Sequence, residues 1–225
     1  MDNLQSFRPI GRISKWLVNW SIASIVTAII YVVSSFVLVY FFVDVYYEDN
    51  SFIFLVSQII LVISIVSAIL TLFWDYRANK NIHTFGAKEV TSPAMSVIWW
   101  FIPIAFFWKP YSVAQQIWKA SKPEIKLTEG TEWRKVPGPN IIKIWWILGI
   151  LAILIRVLAG NFLAPAFGQF EFTPHYVEEP NLSYLFYKGF LILSTNVPGI
   201  VSTVYFIRMI KRISEWQELK AGIKS

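Results

Sequence analysis

Cysteine is absent from all 225 residues, which excludes a disulfide framework, a thiolate metal site and a cysteine nucleophile. Charge is scarce as well. Asp, Glu, Lys and Arg make up 15% of the chain, against about 25% in a soluble domain, so the chain cannot cover itself with polar surface. There is no phosphate-binding Gly-rich loop, and no Gly-x-Ser-x-Gly turn surrounds any serine. Nucleotide chemistry and elbow-type serine hydrolysis therefore lack their local signatures. Only two histidines are present, His83 and His175.

What is abundant is apolar. Hydrophobic residues make up 56% and aromatic residues 17%, and mean hydropathy is +0.52. The apolar residues are gathered into blocks. Leu17 to Val43 and Phe52 to Trp74 contain no charge and exceed the ~20 residues that cross a bilayer. Two further blocks, Ile141 to Ala159 and Tyr184 to Ile207, read as spans too. The first block follows Arg8, Arg12 and Lys15. It is longer than a signal-peptide apolar region of about 7 to 15 residues and has no small-residue cleavage site, so it reads as a retained span.

The charges order these spans. The net charge is +6, and in a membrane protein its location matters more than its sum. Loop Asp44 to Asp49 is acidic, and Gly160 to Ser183 carries Glu171, Glu178 and Glu179 with no Lys or Arg. Arg77, Lys80 and Lys88 follow the second span. By the positive-inside rule both ends are cytoplasmic and both acidic loops external. Met95 to Trp108 is apolar but short and interrupted by Pro103. If it crossed, the basic stretch Lys109 to Lys135 and the C-terminal Arg208, Lys211, Arg212, Lys220 and Lys224 would move outside. A re-entrant or interfacial segment keeps every basic cluster inside. Trp16, Trp20, Trp74, Trp108, Trp118, Trp145, Trp146 and Trp216 then fall near the inner boundary, as interfacial indoles do. The expected fold is an all-α membrane protein forming one polytopic domain. It has four transmembrane helices over 17–43, 52–74, 141–159 and 184–207, a re-entrant or interfacial segment over 95–108, and amphipathic cytoplasmic helices.

Two such amphipathic stretches stand out. Tyr111 to Ala120 places Val113, Ala114, Ile117 and Trp118 on one side, and Ile207, Ile210 and Ile213 recur between Arg208, Lys211 and Arg212. The second reads as an extension along the inner leaflet. Its cations either enforce topology or bind anionic lipid.

The densest polar constellation is WDYRANKNIHTFG, Trp74 to Gly86. On a continuing helix Trp74, Arg77 and Asn81 share a face at i, i+3 and i+7. Arg77 has five fixed donors suited to carbonyls freed near Pro103; the alternative is an arginine snorkelling to the interface. In the fourth span, Asn196, Pro198 and Gly199 predict a helix break. Its freed carbonyl is open to Asn196 or Thr195, or available as a mid-membrane ion or substrate site. Arg156 and Lys188, toward the outer helix ends, are placed to snorkel or to meet Glu171, Glu178 or Glu179. His83 and His175 fall on opposite sides of the membrane, as do Asp44 and Asp75, so neither a bis-histidine haem or metal site nor an aspartyl dyad is expected.

The series Trp74, Arg77, Asn81, Gly86, then Ser92-Pro93, then Trp100-Phe101-Ile102-Pro103-Ile104, then Pro110 and Ile117-Trp118, resembles the signature of a family of bacterial multi-span membrane proteins catalogued as a domain of unknown function. The resemblance implies a bacterial inner-membrane location and lends no activity. No catalytic residue, metal or cofactor is expected. The leading function is a non-enzymatic binding, sensing or scaffold module with a basic, Trp-rich cytoplasmic face. Its partners would be the bilayer, anionic headgroups included, and a protein or a second copy of the chain, not nucleic acid. The alternatives are a small oligomeric transporter or channel using the broken fourth helix, and a lipid-modifying enzyme acting through Arg77, Asn81 and His83.

Overall fold

The apolar blocks form four long helices, α1 (Gly11–Phe41), α2 (Ser51–Thr84), α6 (Asn140–Leu158) and α7 (Leu182–Lys220). They belong to a computed structural model that describes residues 6–41, 51–127, 132–159 and 182–223. Each is long and apolar enough to cross a membrane, and no strand occurs among the described residues. The chain is an all-helical, multi-pass membrane protein. The acidic loops 44–49 and 160–181, with Glu171, His175, Glu178 and Glu179, and the side chain of Lys188, lie outside the described residues.

Two helices overrun the bilayer. At 1.5 Å per residue, the 34 residues of α2 and the 39 of α7 are about 51 and 58 Å long, against a hydrocarbon core of about 30 Å. Their charge-free portions end at Trp74 and Ile207, so Asp75–Thr84 and Arg208–Lys220 project beyond it. There they meet the start of α1 and the amphipathic α5 (Lys109–Ser121). The buried core lies mainly in this projecting head. Ile10, Leu17, Ala78, Ile82, Ile117, Ala120, Ile142, Ile210 and Ile213 are fully enclosed, whereas only 11% of each apolar span window is buried.

Residues 95–108 do not form a crossing helix. They are occupied by α3 (Pro93–Ile98), a turn, α4 (Pro103–Phe106) and a second turn leading into α5. Each of these three helices has proline in its first turn, where the missing N–H would be unpaired in any case. Gly86, at φ +94°, ends α2. The Ala87 N–H returns to the Ile82 carbonyl and the Gly86 N–H to that of His83, a Schellman termination that turns the chain toward the hairpin.

In cross-section the spans run in the order α2, α1, α7, α6. Helix α1 packs on α2 and α7, and α7 on α6, while α2 and α6 share no packed interface.

Two sequence expectations need correction. Helix α7 is not broken at Asn196, Pro198 and Gly199 but continues through Pro198. Thr195 Oγ1 donates to the Leu191 carbonyl at 2.6 Å, Asn196 Nδ2 to that of Ile192 at 2.7 Å, and Thr203 Oγ1 to that of Gly199 at 2.9 Å. These are i−4 bonds to carbonyls that keep their helical partners, and none of the three reaches the Ser194 carbonyl, which Pro198 leaves without its N–H. Nor does the end of α7 lie along a leaflet, because Ile210 and Ile213 are enclosed by the head.

Candidate functional site

At 100° per residue, the buried residues of projecting α2 run from Asn81 through Trp74, Ala78, Ile82 and Asp75 to Asn79, an arc of about 160°. The polar members of this arc reach across the head. Trp74 Nε1 donates to Ser14 Oγ at 2.9 Å, and Ser14 and Ser214 share a hydrogen bond of 2.6 Å, joining α1, α2 and α7. Asn81 Nδ2 donates to Gln217 Oε1 at 2.9 Å. Gln217 Nε2 donates to the Ala78 carbonyl and to Ser121 Oγ, both at 3.0 Å. Lys220 Nζ donates to the carbonyls of Ala120, Lys122 and Ile125 at 2.9, 3.1 and 2.9 Å. A cation there satisfies the orphan carbonyls at the end of α5 and complements its dipole.

The sequence constellation divides on these contacts. Trp74 and Asn81 belong to the network, Gly86 turns the chain, and Pro93, Pro103 and Pro110 start helices. Trp100 Nε1 donates to Asp75 Oδ2 at 3.1 Å, tying the hairpin to α2. Trp118 packs edge-on to Trp216 with centroids 4.7 Å apart. Arg77 is corrected: it is exposed, and among the described residues nothing hydrogen-bonds to it. It lies about 40° beyond the Asn81 edge of the buried arc. His83 is exposed as well, with Nε2 3.1 Å from the Thr91 carbonyl. Arg77, Asn81 and His83 therefore do not converge, and no group of three or more metal-ligating side chains occurs among the described residues.

Sequence reasoning missed Ser14, Gln217, Ser214 and Lys220. The one signal of the first three is a small or amide side chain on the apolar period of α1 and α7. It also missed Asn79, fully buried with neither amide atom partnered among the described residues.

Outside the network lies a basic cleft of about 710 Å³ between the ends of α5, α6 and α7. Arg208, Lys211 and Arg212 line it with Trp118, Trp216 and Ile141, and Glu215 is the acidic member. The Arg212 guanidinium stands 5.7 Å from the Trp216 ring and Lys122 Nζ 6.0 Å from it, both within cation–π range. The indole N–H of Trp118 is buried and has no partner among the described residues. Nearby, burial pushes the Lys119 ammonium below the usual lysine range. It donates to the Arg134 carbonyl at 2.9 Å, and Arg134 pairs with Glu89 at 2.9 Å. This exposed ion pair stabilises little.

No curated protein and no solved structure matches the chain. The model of a domain of unknown function (DUF4328) matches residues 45–215, a stretch that includes Trp74, Asn81 and Trp118 but not Arg8, Ser14, Gln217 or Lys220, and the chain belongs to that family.

Proposed function

We propose that the chain is a non-enzymatic binding, sensing or scaffold module of the bacterial inner membrane, with its head and both termini in the cytoplasm, and that its basic cleft takes anionic lipid headgroups. The cleft carries this reading. Arg208, Lys211 and Arg212 converge there with Trp118 and Trp216, the combination of charge and interfacial indoles that suits a phosphate at headgroup depth. The orientation follows from the positive-inside rule, and the bacterial inner membrane from the motif series Trp74 to Trp118. The continuity of α7 through Pro198 removes the observation on which a transporter through a broken helix rested.

The test is lipid retention. Protein released from micelles containing phosphatidylglycerol or phosphatidylcholine is weighed by native mass spectrometry. The parent should retain the anionic lipid preferentially, and the triple variant Arg208→Gln, Lys211→Gln, Arg212→Gln should lose that preference. Equal retention of both lipids by the parent would sink the proposal.

A further inference from the structure

A second recess lies on another face of the bundle. Phe206 lines it and Arg208, two residues on, lines the cleft, about 200° around α7. The recess, of about 400 Å³, opens between α2 and α6, the two spans that share no packed interface. Ala68 of α2 is exposed at one side, Gly149 of α6 stands at the other, and Trp100, Phe106 and Trp146 form the wall next to the head. The recess sits within the charge-free portions of the spans, so its opening faces hydrocarbon.

Its chemistry is largely apolar, because the hydroxyls of its lining are used internally. Ser202 Oγ donates to the Trp145 carbonyl at 2.9 Å, Thr71 Oγ1 to that of Ser67 at 2.7 Å and Thr203 Oγ1 to that of Gly199 at 2.9 Å. Both indoles of the wall are likewise committed, Trp146 to the Phe107 carbonyl at 2.9 Å and Trp100 to Asp75. A polar solute entering here would lose its water and find little replacement. The wall is also built. The Trp100 centroid lies 6.0 Å from that of Phe106 and 6.1 Å from that of Trp146, and Phe106 lies 5.7 Å from Trp146, within the range of favourable ring pairs. Gly149 leaves room. A Cβ there would stand 3.3 Å from Ser202 Oγ.

Cations mark the head end of the recess. Lys143 precedes Trp146 by three residues on α6 and is exposed, and Lys109 Nζ stands 4.9 Å over the Trp99 ring of the hairpin. An amphiphile lying with its tail in the recess would bring a phosphate toward them. We propose that the recess is a lateral site for one acyl chain of a bilayer phospholipid, which enters between α2 and α6 and packs against the Trp100, Phe106 and Trp146 wall. This goes beyond the headgroup reading and stands apart from it, since an acyl chain is recognised by shape and not by charge.

The test uses a zwitterionic lipid so that failure of the cleft does not affect it. The full chain is placed in nanodiscs containing phosphatidylcholine with a mid-chain diazirine, and photo-adducts are mapped by mass spectrometry. Adducts should concentrate on residues 68–72 of α2 and 149–153 of α6 and fall about tenfold in Ala68→Phe, which fills the opening from an exposed position. Ile153→Trp provides a second filling variant should the first not fold. Ile59→Phe, exposed and away from the recess, should label like the parent. Adducts spread evenly around the spans, or unchanged in both filling variants, would overturn the proposal. Labelling by an isoprenoid diazirine but not by the phospholipid would overturn the choice of occupant.

Discussion

Asn81 holds Arg8 by both polar atoms of the Arg8 backbone. Asn81 Oδ1 accepts the Arg8 N–H at 3.1 Å, and Asn81 Nδ2 donates to the Arg8 carbonyl at 2.9 Å. The amide thus stands in for a strand partner, pinning the segment ahead of α1 to the projecting end of α2, and the bond to Gln217 brings α7 into the same knot. Asn81→Asp keeps the acceptor and loses the donor, leaving the Arg8 carbonyl and Gln217 Oε1 facing a carboxylate. Each buried group left unpaired costs about 1 to 3 kcal/mol. The variant should therefore melt below the parent in detergent, and at least as low as Asn81→Ala. An Asn81→Asp protein as stable as the parent would show that the clamp contributes nothing.

Arg77 and Trp74 offer an internal comparison on the same helix. The exposed Arg77 has no partner among the described residues, so Arg77→Ala and Arg77→Lys should both stay within about 0.5 kcal/mol of the parent. Trp74→Phe removes the indole N–H that donates to Ser14 and shrinks a buried ring, and should lower thermal stability by more than either. The reverse order would mean that Arg77 has a partner in the membrane.

Legibility followed distance along the chain. The spans could be read because each is a long apolar run, and the hairpin because it is too short to cross and carries Pro103. The network could not, because its bonds join residues 73, 136 and 200 apart, and one sequence says nothing about which distant residues meet. Periodicity also reports that a face is apolar without saying what covers it. Ile210 and Ile213 fit lipid and protein equally well as a pattern, and the head covers them. Arg77 was misplaced for a related reason. Positions i, i+3 and i+7 span about 60°, but the buried arc of α2 extends from Asn81 and Trp74 away from Arg77.

Lys220 makes a prediction about local stability. Its ammonium serves three carbonyls between Ala120 and Ile125, so Lys220→Met keeps the stem and abandons the acceptors. Amide exchange over 119–127 should accelerate while the spans remain protected. Unchanged exchange there would mean that water replaces the ammonium without loss.

The proposed orientation can be tested cleanly because the chain has no cysteine of its own. A single cysteine at Lys126, near the end of α5, should resist an impermeant maleimide in intact cells and react once the membrane is opened. A single cysteine at Glu48 should react from outside. The opposite pattern would invert the protein and place the basic cleft outside.

The last prediction concerns the bond that ties the hairpin to the bundle. Asp75 is 6% exposed and accepts the Trp100 N–H at 3.1 Å, and Trp100 is also part of the wall of the apolar recess. A carboxyl oxygen enclosed in the head needs a donor, and the indole is the one that reaches it from the hairpin. Trp100→Phe keeps most of the ring and removes the donor, while Asp75→Leu removes the acceptor and keeps an apolar side chain of similar size. Each alone should destabilise, Trp100→Phe through the unpaired carboxyl and Asp75→Leu through the unpaired indole. The double variant should lose less than their sum, because it leaves neither group stranded. The expected coupling is about 0.5 to 3 kcal/mol, the lower part of the range for a neutral carboxyl and the upper part for an ionised one. A cycle closing at zero would mean that the 3.1 Å contact does not hold the hairpin, and that its position rests on the packing of Trp100, Phe106 and Trp146 alone.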